Sequence, residues 1–265
     1  MRYIASRDNP HFKALKKLCQ SGRERRKRSL TLLDGMHLIE SYVHSYGHVE
    51  ELIVSTSGLI RREIVAYLGC QTTETRKNTE NPVTVLSDAL YAELAIVETP
   101  SGIMALVQQP RPVHGLNQEA DAVLLDGVQD PGNVGSILRS AAAAGFRQVL
   151  LSVDCAHAWS PKTLRAAMGA HFQLDIHEAS DLSAFLGGYR GQGIVTALDA
   201  STSLYSANLK YPLAWVFGSE GLGVKQEIIE AARLKVCIPM PGTTESLNVA
   251  AAAAICLFET VRQRL

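Results

Sequence analysis

An α/β fold with a parallel sheet in its C-terminal part is the class that this 265-residue sequence predicts. Three observations predict it. Short apolar runs alternate with segments of helical period from about residue 119 onward. The runs are apolar on consecutive residues, as strands covered on both faces are. Loops bearing glycine or proline follow several of them, where a parallel sheet needs its connections.

The elements follow in chain order. Leu30 to Leu33 reads as a strand, Met36 to Tyr46 as a helix, Glu51 to Val54 as a strand, Leu59 to Leu68 as a helix and Gly102 to Val107 as the last strand of a small α/β domain. Pro110, Pro112 and Gly115 then break both periods, so residues 109–118 read as a linker between a front domain, 1–108, and a second domain, 119–265. Beyond it, Ala122 to Leu125, Val149 to Leu151, Gln173 to Ile176, Ile194 to Ala197, Ala214 to Phe217 and Val236 to Ile238 read as buried strands. Alanine clusters at 141–144 and 250–254 favour helix and permit close helix packing. Residue patterns alone give this sheet an unknotted, doubly wound connectivity.

Composition narrows the function classes. With 46% hydrophobic and 20% charged residues, the chain has the make-up of a well-cored globular protein. Its longest apolar run, Val249 to Phe258, is half of the roughly 20 residues that cross a bilayer. Met1 and Arg2 lead to Asp8, Asn9 and Pro10, with none of the apolar stretch of a secretory leader, so a cytoplasmic protein is expected. Cysteines 19, 70, 155, 237 and 256 form no C-x-x-C pair and read as buried free thiols. His44 and His48 are four apart, but Gly47 lies between them and no H-E-x-x-H pattern is formed; they read as surface or packing histidines, and no metal is expected.

Net charge is zero, yet residues 1–28 carry ten Lys/Arg against Asp8 and Glu24, a local charge of +8 balanced by −8 in the rest. Arg7, Lys13, Lys17, Arg23, Arg25 and Arg26 are candidate contacts to a polyanion, because cations release condensed counterions on meeting phosphates. A solvated helix face is the plainer reading of the same run.

In a parallel sheet ligands gather beyond the carboxyl ends of the strands, and three loops there are unusual. The first, Leu125 to Arg139, carries Asp130-Pro131-Gly132-Asn133 and then Arg139. Asn133 suits an ordinary helix N-cap; with Arg139 converging from two turns on, it would also form a ribose-phosphate clamp. The second, Gly218-Ser219-Glu220-Gly221-Leu222-Gly223, has glycines for strained backbone and close ligand approach, with Glu220 at its tip, either a solvated turn acid or one held by a partner. Neither G-x-G-x-x-G nor G-x-x-x-x-G-K-[ST] occurs, which argues against a nicotinamide or nucleoside-triphosphate enzyme. The third, Ile238-Pro239-Met240-Pro241 through Ser246-Leu247-Asn248, is held extended by prolines and offers backbone groups to a purine edge.

Together these loops resemble the three signature motifs of the SPOUT-class RNA methyltransferases, in the SpoU (TrmH-like) branch: Asn133-x-Gly135-x-x-x-Arg139, Gly218-x-Glu220-Gly221-x-Gly223, and Ile238-Pro-Met with Ser246-Leu247-Asn248-Val249. Ile4 to Pro10, Lys13 to Leu18 and Leu32 to Glu40 are similar to the front of the branch's ribosomal-RNA members. The resemblance implies a ribose 2′-O-methyltransferase using S-adenosylmethionine, acting on ribosomal RNA, with transfer RNA as the alternative. It implies a deep trefoil knot in the second domain, homodimers through that domain, and a ribosomal-protein-like RNA-binding front domain. It assigns cofactor contacts to Gly218, Ile238 and Leu247, with Thr196, Ala197 and Met240 beside them, and catalysis to Asn133, Arg139, Glu220, Ser246 and Asn248. Because guanidinium stays protonated, Arg139 is expected to orient a phosphate and steady alkoxide charge, with the proton acceptor unassigned. One departure is Ala167, where relatives commonly have a serine before Gly-Ala, which bears on the target nucleotide. Two competing classes are a catalytically silent knotted RNA-binding protein, which predicts loss of Asn133, Arg139 or Glu220, and a Rossmann-type oxidoreductase, which lacks its fingerprint here.

Overall fold

A computed structural model describes residues 1–70 and 82–265, and the chain divides into two compact units. The first comprises Met1–Pro110 together with Trp159–Arg165; the second comprises Arg111–Ala158 and Ala166–Leu265. The excursion of residues 159–165 into the first unit is something a single cut at a linker does not anticipate.

In the first unit the chain runs β1 (Arg2–Ile4), α1 (Pro10–Gln20), α2 (Gly22–Arg28), β2 (Leu30–Asp34), α3 (Met36–Tyr46), β3 (Glu51–Ser55), α4 (Arg62–Cys70), β4 (Val83–Leu86), α5 (Asp88–Leu94) and β5 (Ile103–Gln108). The sheet order is β1-β4-β3-β5-β2, parallel over the first three strands and antiparallel at β5. Phe12, Leu15 and Leu18 recur at helical spacing and fix α1 against Leu32, Ile53, Leu86 and Met104. Asn9 caps that helix and Pro10 opens it. The expected helix 59–68 is a 3-10 turn, Gly58–Ile60, followed by α4. Within the same unit Thr31 Oγ1 donates to the Trp159 carbonyl at 2.8 Å, which ties residues 159–165 to β2.

The second unit continues with β6 (Ala122–Asp126), α6 (Pro131–Ala143), β7 (Gln148–Leu151), α7 (Pro161–Ala167, whose first residues belong to the first unit), β8 (Asp175–His177), α8 (Leu182–Gly188), β9 (Gln192–Thr196), β10 (Thr202–Ser203), β11 (Leu213–Gly218), α9 (Gln226–Ala231), β12 (Leu234–Cys237) and α10 (Val249–Arg264). Its seven strands lie in the order β10-β12-β9-β11-β6-β7-β8, every pair parallel. The strand expected over 173–176 begins at Asp175 instead. Residues Ala170–Gln173 make a 3-10 turn after left-handed Gly169, and buried His171 donates to the Ala158 carbonyl at 2.7 Å.

Alternation along the strands explains the layering. Ala214 and Val216 pack with Leu182, Phe185 and Leu186 of α8 and Ile228 of α9, while Trp215 points the other way and donates to Thr260 of α10 at 3.0 Å. Helices thus cover both faces, and the fully buried Ala141 and Ala253 lie on α6 and α10, which pack together. The feature that positions the site is the adjacency of β11 and β6: Gly218 is paired with Asp126, so the loops that leave those strands start side by side.

Among the described residues no helix is long and apolar enough to cross a membrane, and no group of three His, Cys, Asp or Glu could hold a metal ion. Cys256 is buried while Cys19, Cys155 and Cys237 are half-buried, all four as free thiols; the side chain of Cys70 lies outside the described residues. Burial pushes the Cys19 and Cys256 thiols up to about 12. His44 and His48 are both exposed, and Gly47 at φ 89 ends α3 between them.

Candidate active site

The first loop is organised by its acid. Asp130 is the N-cap of α6: its Oδ1 accepts from the Asn133 amide at 2.9 Å, and Pro131 supplies the first helical residue. Asn133 therefore stands one turn inside the helix, and its side chain is released from capping. It donates through Nδ2 to Glu220 Oε1 at 3.0 Å.

The second loop is a closed turn. Ser219 and Gly223 exchange backbone hydrogen bonds of 3.1 and 2.9 Å, and Gly223 takes φ 68, the left-handed conformation that ends a three-residue hairpin loop. A Cβ on Gly218 would lie 2.2 Å from the Gly223 carbonyl carbon, so only glycine lets the strand end pass beneath the turn. Glu220 is carried at the tip with its carboxylate turned toward α6 and α10.

The third loop ends at Asn248, the N-cap of α10. Its Oδ1 accepts from Ala250 and Ala251 amides at 3.0 and 3.3 Å, while its Nδ2 donates to Asn133 Oδ1 at 3.0 Å and to Glu220 Oε1 at 2.7 Å. The Val249 amide adds a 3.4 Å contact to the same carboxylate oxygen. Residues 133, 220 and 248 thus meet in one hydrogen-bonded cluster, and Asn248 serves both as a cap and as a member of it. Ser246 is exposed and lines the adjoining cavity.

Arg139 stands outside that cluster. Six residues beyond Asn133 is about 240° around a helix, so the two side chains leave α6 in different directions. Its guanidinium is exposed and makes no hydrogen bond or ion pair with another described residue. Asn133 and Arg139 make no hydrogen bond to one another.

Beside the cluster lies a cavity of about 420 Å³, within the range of small-molecule sites. Thr196, Ala197, Gly218, Ile238, Met240 and Leu247 all line it, at the ends of β9, β11 and β12 and along the third loop. These residues fit S-adenosylmethionine in two respects. Ala197, Ile238 and Leu247 give apolar walls for an adenine ring, and from Ile238 to Leu247 no backbone amide or carbonyl is hydrogen-bonded to another described residue, so donors and acceptors remain for its edge.

In the first unit the basic segment divides into two kinds of residue. Lys17, Arg23, Arg26 and Lys27 are exposed and without a polar partner among the described residues. Arg7 pairs with Glu93 at 2.5 Å and Lys13 with Asp8 at 2.8 Å, both exposed pairs that phosphate could exchange. Arg25 departs from the expectation for this segment: it is 4% exposed, and its guanidinium donates to the Leu18 and Cys19 carbonyls at 2.6 and 3.1 Å, closing the end of α1. It is a structural residue and leaves the set of candidate phosphate contacts.

Residues that sequence reading did not single out also shape the site. Lys225 pairs with Asp154 at 2.8 Å and its amide is held by Asp126 at 2.8 Å. No motif marks Asp154 or Lys225; only the adjacency of the loops after β6, β7 and β11 joins them.

Comparisons with known proteins place the whole chain in a family. The SpoU rRNA Methylase family matches residues 121–258, and the MRM3-like substrate binding domain matches residues 9–105. The chain is 32% identical over 261 residues to the 23S rRNA (guanosine(2553)-2′-O)-methyltransferase RlmP of Bacillus subtilis strain 168, covering 97% of this chain and 98% of that one. Among solved structures it is similar to an RNA 2′-O ribose methyltransferase (TM-score 0.81, 29% identity, 99% of each chain). It is similar as well to an AdoMet-bound rRNA methyltransferase from Sinorhizobium meliloti (TM-score 0.80, 25% identity, covering 100% of this chain and 98% of that one). With three distant loops meeting at one end of the parallel sheet and both matches extending over the chain, the protein belongs to the SpoU rRNA methylase family.

Proposed function

We propose that this protein is an S-adenosylmethionine-dependent 2′-O-methyltransferase of ribosomal RNA. The observation that carries the reading is the Asn133–Glu220–Asn248 cluster at the mouth of a cavity lined by all six expected cofactor residues. When bound, S-adenosylmethionine supplies an activated methyl group to a ribose 2′ oxygen, a hydroxyl that only RNA offers. Gly218, Ile238 and Leu247 would hold it, with Thr196, Ala197 and Met240 beside them. Because alignment dominates such a transfer, the chain's part is to fix geometry beforehand, and Glu220 does this by joining the starts of α6 and α10 through one carboxylate oxygen.

Asn133 and Asn248 complete that frame, and Ser246 offers a hydroxyl on the cavity wall. Arg139, solvated and unpaired among the described residues, keeps a planar fork of donors for an RNA phosphate and for alkoxide charge. Lys17, Arg23 and Arg26 of the front unit supply sequence-independent attraction to the same polymer, with Arg7 and Lys13 available after exchange of their carboxylate partners.

The same reading extends to organisation. Residues 1–108 act as the RNA-binding domain and 119–265 as the catalytic domain, joined by a linker at 109–118. The catalytic domain carries a deep trefoil knot, for which the long return from β12 through the third loop to α10 is the supporting feature. It pairs with a second copy, and the enzyme works in the cytoplasm where ribosomal RNA is made.

The test has two arms. Calorimetric titration should give binding of S-adenosylmethionine and none of NAD(H). Purified protein should then transfer methyl groups to ribosomal RNA from a cell lacking it, and ribose-methylation mapping should find one site restored. Affinity for the donor with no transfer to any RNA would sink the enzymatic reading.

A further inference from the structure

The parallel sheet of the second unit carries another cavity at its opposite end. It has a volume of about 560 Å³ and opens at the amino ends of β9, β11 and β12. Gln192 lines it at the start of β9, while Thr196, four residues along the same strand, lines the 420 Å³ cavity beside the cluster. At about 3.3 Å per residue the two sites lie roughly 13 Å apart along that strand.

Three side chains give this cavity its chemistry. Arg190 and Arg233 are exposed cations that line it, against one acid, Glu119. The Arg233 guanidinium has no polar partner among the described residues, and its backbone amide donates to the Gly193 carbonyl at 3.0 Å. Arg190 pairs with Glu119 at 2.6 Å, but both side chains are largely exposed, at 75% and 63%, so another anion can replace the acid at little cost. Tyr211 is 65% exposed, and its hydroxyl has no partner among the described residues.

The tyrosine stands on a fixed backbone. Arg264 donates to the Tyr211 carbonyl at 2.6 Å and to the Leu209 carbonyl at 3.0 Å, and it is itself held by both oxygens of Asp121. Gln263 accepts from the Leu209 amide at 3.0 Å. The end of α10 thereby pins residues 209–211 while the ring stays exposed. Gly191 brings Arg190 against this segment: a Cβ there would lie 2.4 Å from the Pro212 carbonyl oxygen, so the chain can run this close only as glycine.

A held aromatic ring flanked by two guanidinium groups suits an unpaired nucleotide. Any base has a face to stack on the ring, and the phosphates beside it carry the charge that arginine forks bind. Resting on the reading of the protein as an RNA methyltransferase, we propose that this cavity is an accessory RNA site that holds a single-stranded segment of the substrate, apart from the nucleotide whose ribose is methylated. Tyr211 stacks on a base, Arg233 and Arg190 take adjoining phosphates, and Glu119 is displaced from Arg190. Stacking and phosphate contacts do not depend on base sequence, so the segment is recognised by being unpaired.

The experiment uses the full chain and a fluorescein-labelled oligouridylate, with an RNA duplex as control, followed by anisotropy. Tyr211→Ala should weaken oligouridylate binding roughly 5- to 100-fold, the scale of one lost base stack, and Tyr211→Phe should keep it. Affinity of Tyr211→Ala for the duplex, and its calorimetric affinity for S-adenosylmethionine, should stay at parental values. Arg190→Ala and Arg233→Ala should each lower the slope of log K against log salt by about 0.7. Ultraviolet irradiation of the parent with oligouridylate should give a uridine adduct on the peptide carrying Tyr211, mapped by mass spectrometry. Parental affinity in Tyr211→Ala, equal weakening toward the duplex, or adducts confined to residues 1–108 overturns the proposal. So does a Tyr211 adduct that oligoglutamate suppresses as well as unlabelled oligouridylate does, since the site would then serve acidic protein segments. If a variant melts early, the adduct in the parent decides. A parent that methylates ribosomal RNA yet gives no Tyr211 adduct defeats this site alone; the adduct without methyl transfer to any RNA defeats the enzymatic reading and leaves the site standing.

Discussion

The loops at the carboxyl ends of β6, β11 and β12 and the basic segment of the front unit handle charge in opposite ways. In the loops, one oxygen of Glu220 accepts from Asn133, Asn248 and the Val249 amide, so polar groups from distant parts of the chain are matched to one another before a ligand arrives. On α2 the exposed Arg23, Arg26 and Lys27 have no partner among the described residues, so their charge remains free for a polyanion. Fixed geometry suits a reaction that depends on alignment; loose cations suit attraction that does not depend on sequence. Each region also holds an exception. Arg25 is locked into its helix junction, and Arg139, exposed on α6, has no polar partner among the described residues.

The largest effect should come from that free arginine. Arg139→Ala is expected to slow single-turnover methyl transfer roughly 100- to 1000-fold, the scale of losing one donor to developing negative charge. Arg139→Lys should fall well short of parental rate, since an ammonium cannot form the fork; near-native transfer by it would show that the planar geometry is irrelevant. Next, Glu220→Ala should cost about 100-fold in kcat through misalignment. Adding Asn248→Ala to Glu220→Ala should cost much less than the two separate losses together, because both act through one cluster. Additive losses in that double-mutant cycle would divide the site into independent parts.

Stability should respond where groups are buried. Burial holds the His171 imidazole at about 4, against an ordinary 6.5. The unfolded chain therefore takes up the proton first: stability is intact above pH 6.5 and declines as pH falls toward 4, by about 3 kcal/mol in all. Thermal melts against pH, with His171→Gln flattening the profile, check this. Arg25→Ala should lower stability by about 2 kcal/mol, as two carbonyls lose a charged donor, while leaving the salt dependence of RNA binding alone. The smallest effect is the converse. Arg23→Ala or Arg26→Ala should each reduce the slope of log K against log salt by a little under one, with the melting temperature unmoved. A matching slope change for Arg25→Ala would erase the distinction between locked and free cations.

Much of the fold is legible in the residues, because buried parallel strands require consecutive apolar side chains. The apolar runs beginning at Ala122, Ala214 and Val236 fall in β6, β11 and β12. Short elements whose stability comes from partners are not legible in this way. β1 at Arg2–Ile4 exists because β4 pairs with it, and β10 because β12 does. At the site, the motif glycines and asparagines announce themselves by spacing, but two outcomes depend on the third dimension. Asp130, not Asn133, takes the cap of α6, because it alone precedes Pro131 at the helix start. Arg25 turns inward because α2 follows α1 after a single residue, Ser21, bringing the guanidinium to the Leu18 and Cys19 carbonyls. Asp154 and Lys225 carry no signal at all, since their pairing spans 71 residues and rests on strand order alone.

Asn248 follows Asn133 by 115 residues, yet it closes the cluster that Asn133 begins. During synthesis, everything up to that asparagine can emerge while Glu220 still lacks its shortest donor. At that point all seven strands of the second sheet precede the missing asparagine, and Glu220 has Asn133 as its one side-chain donor among the described residues.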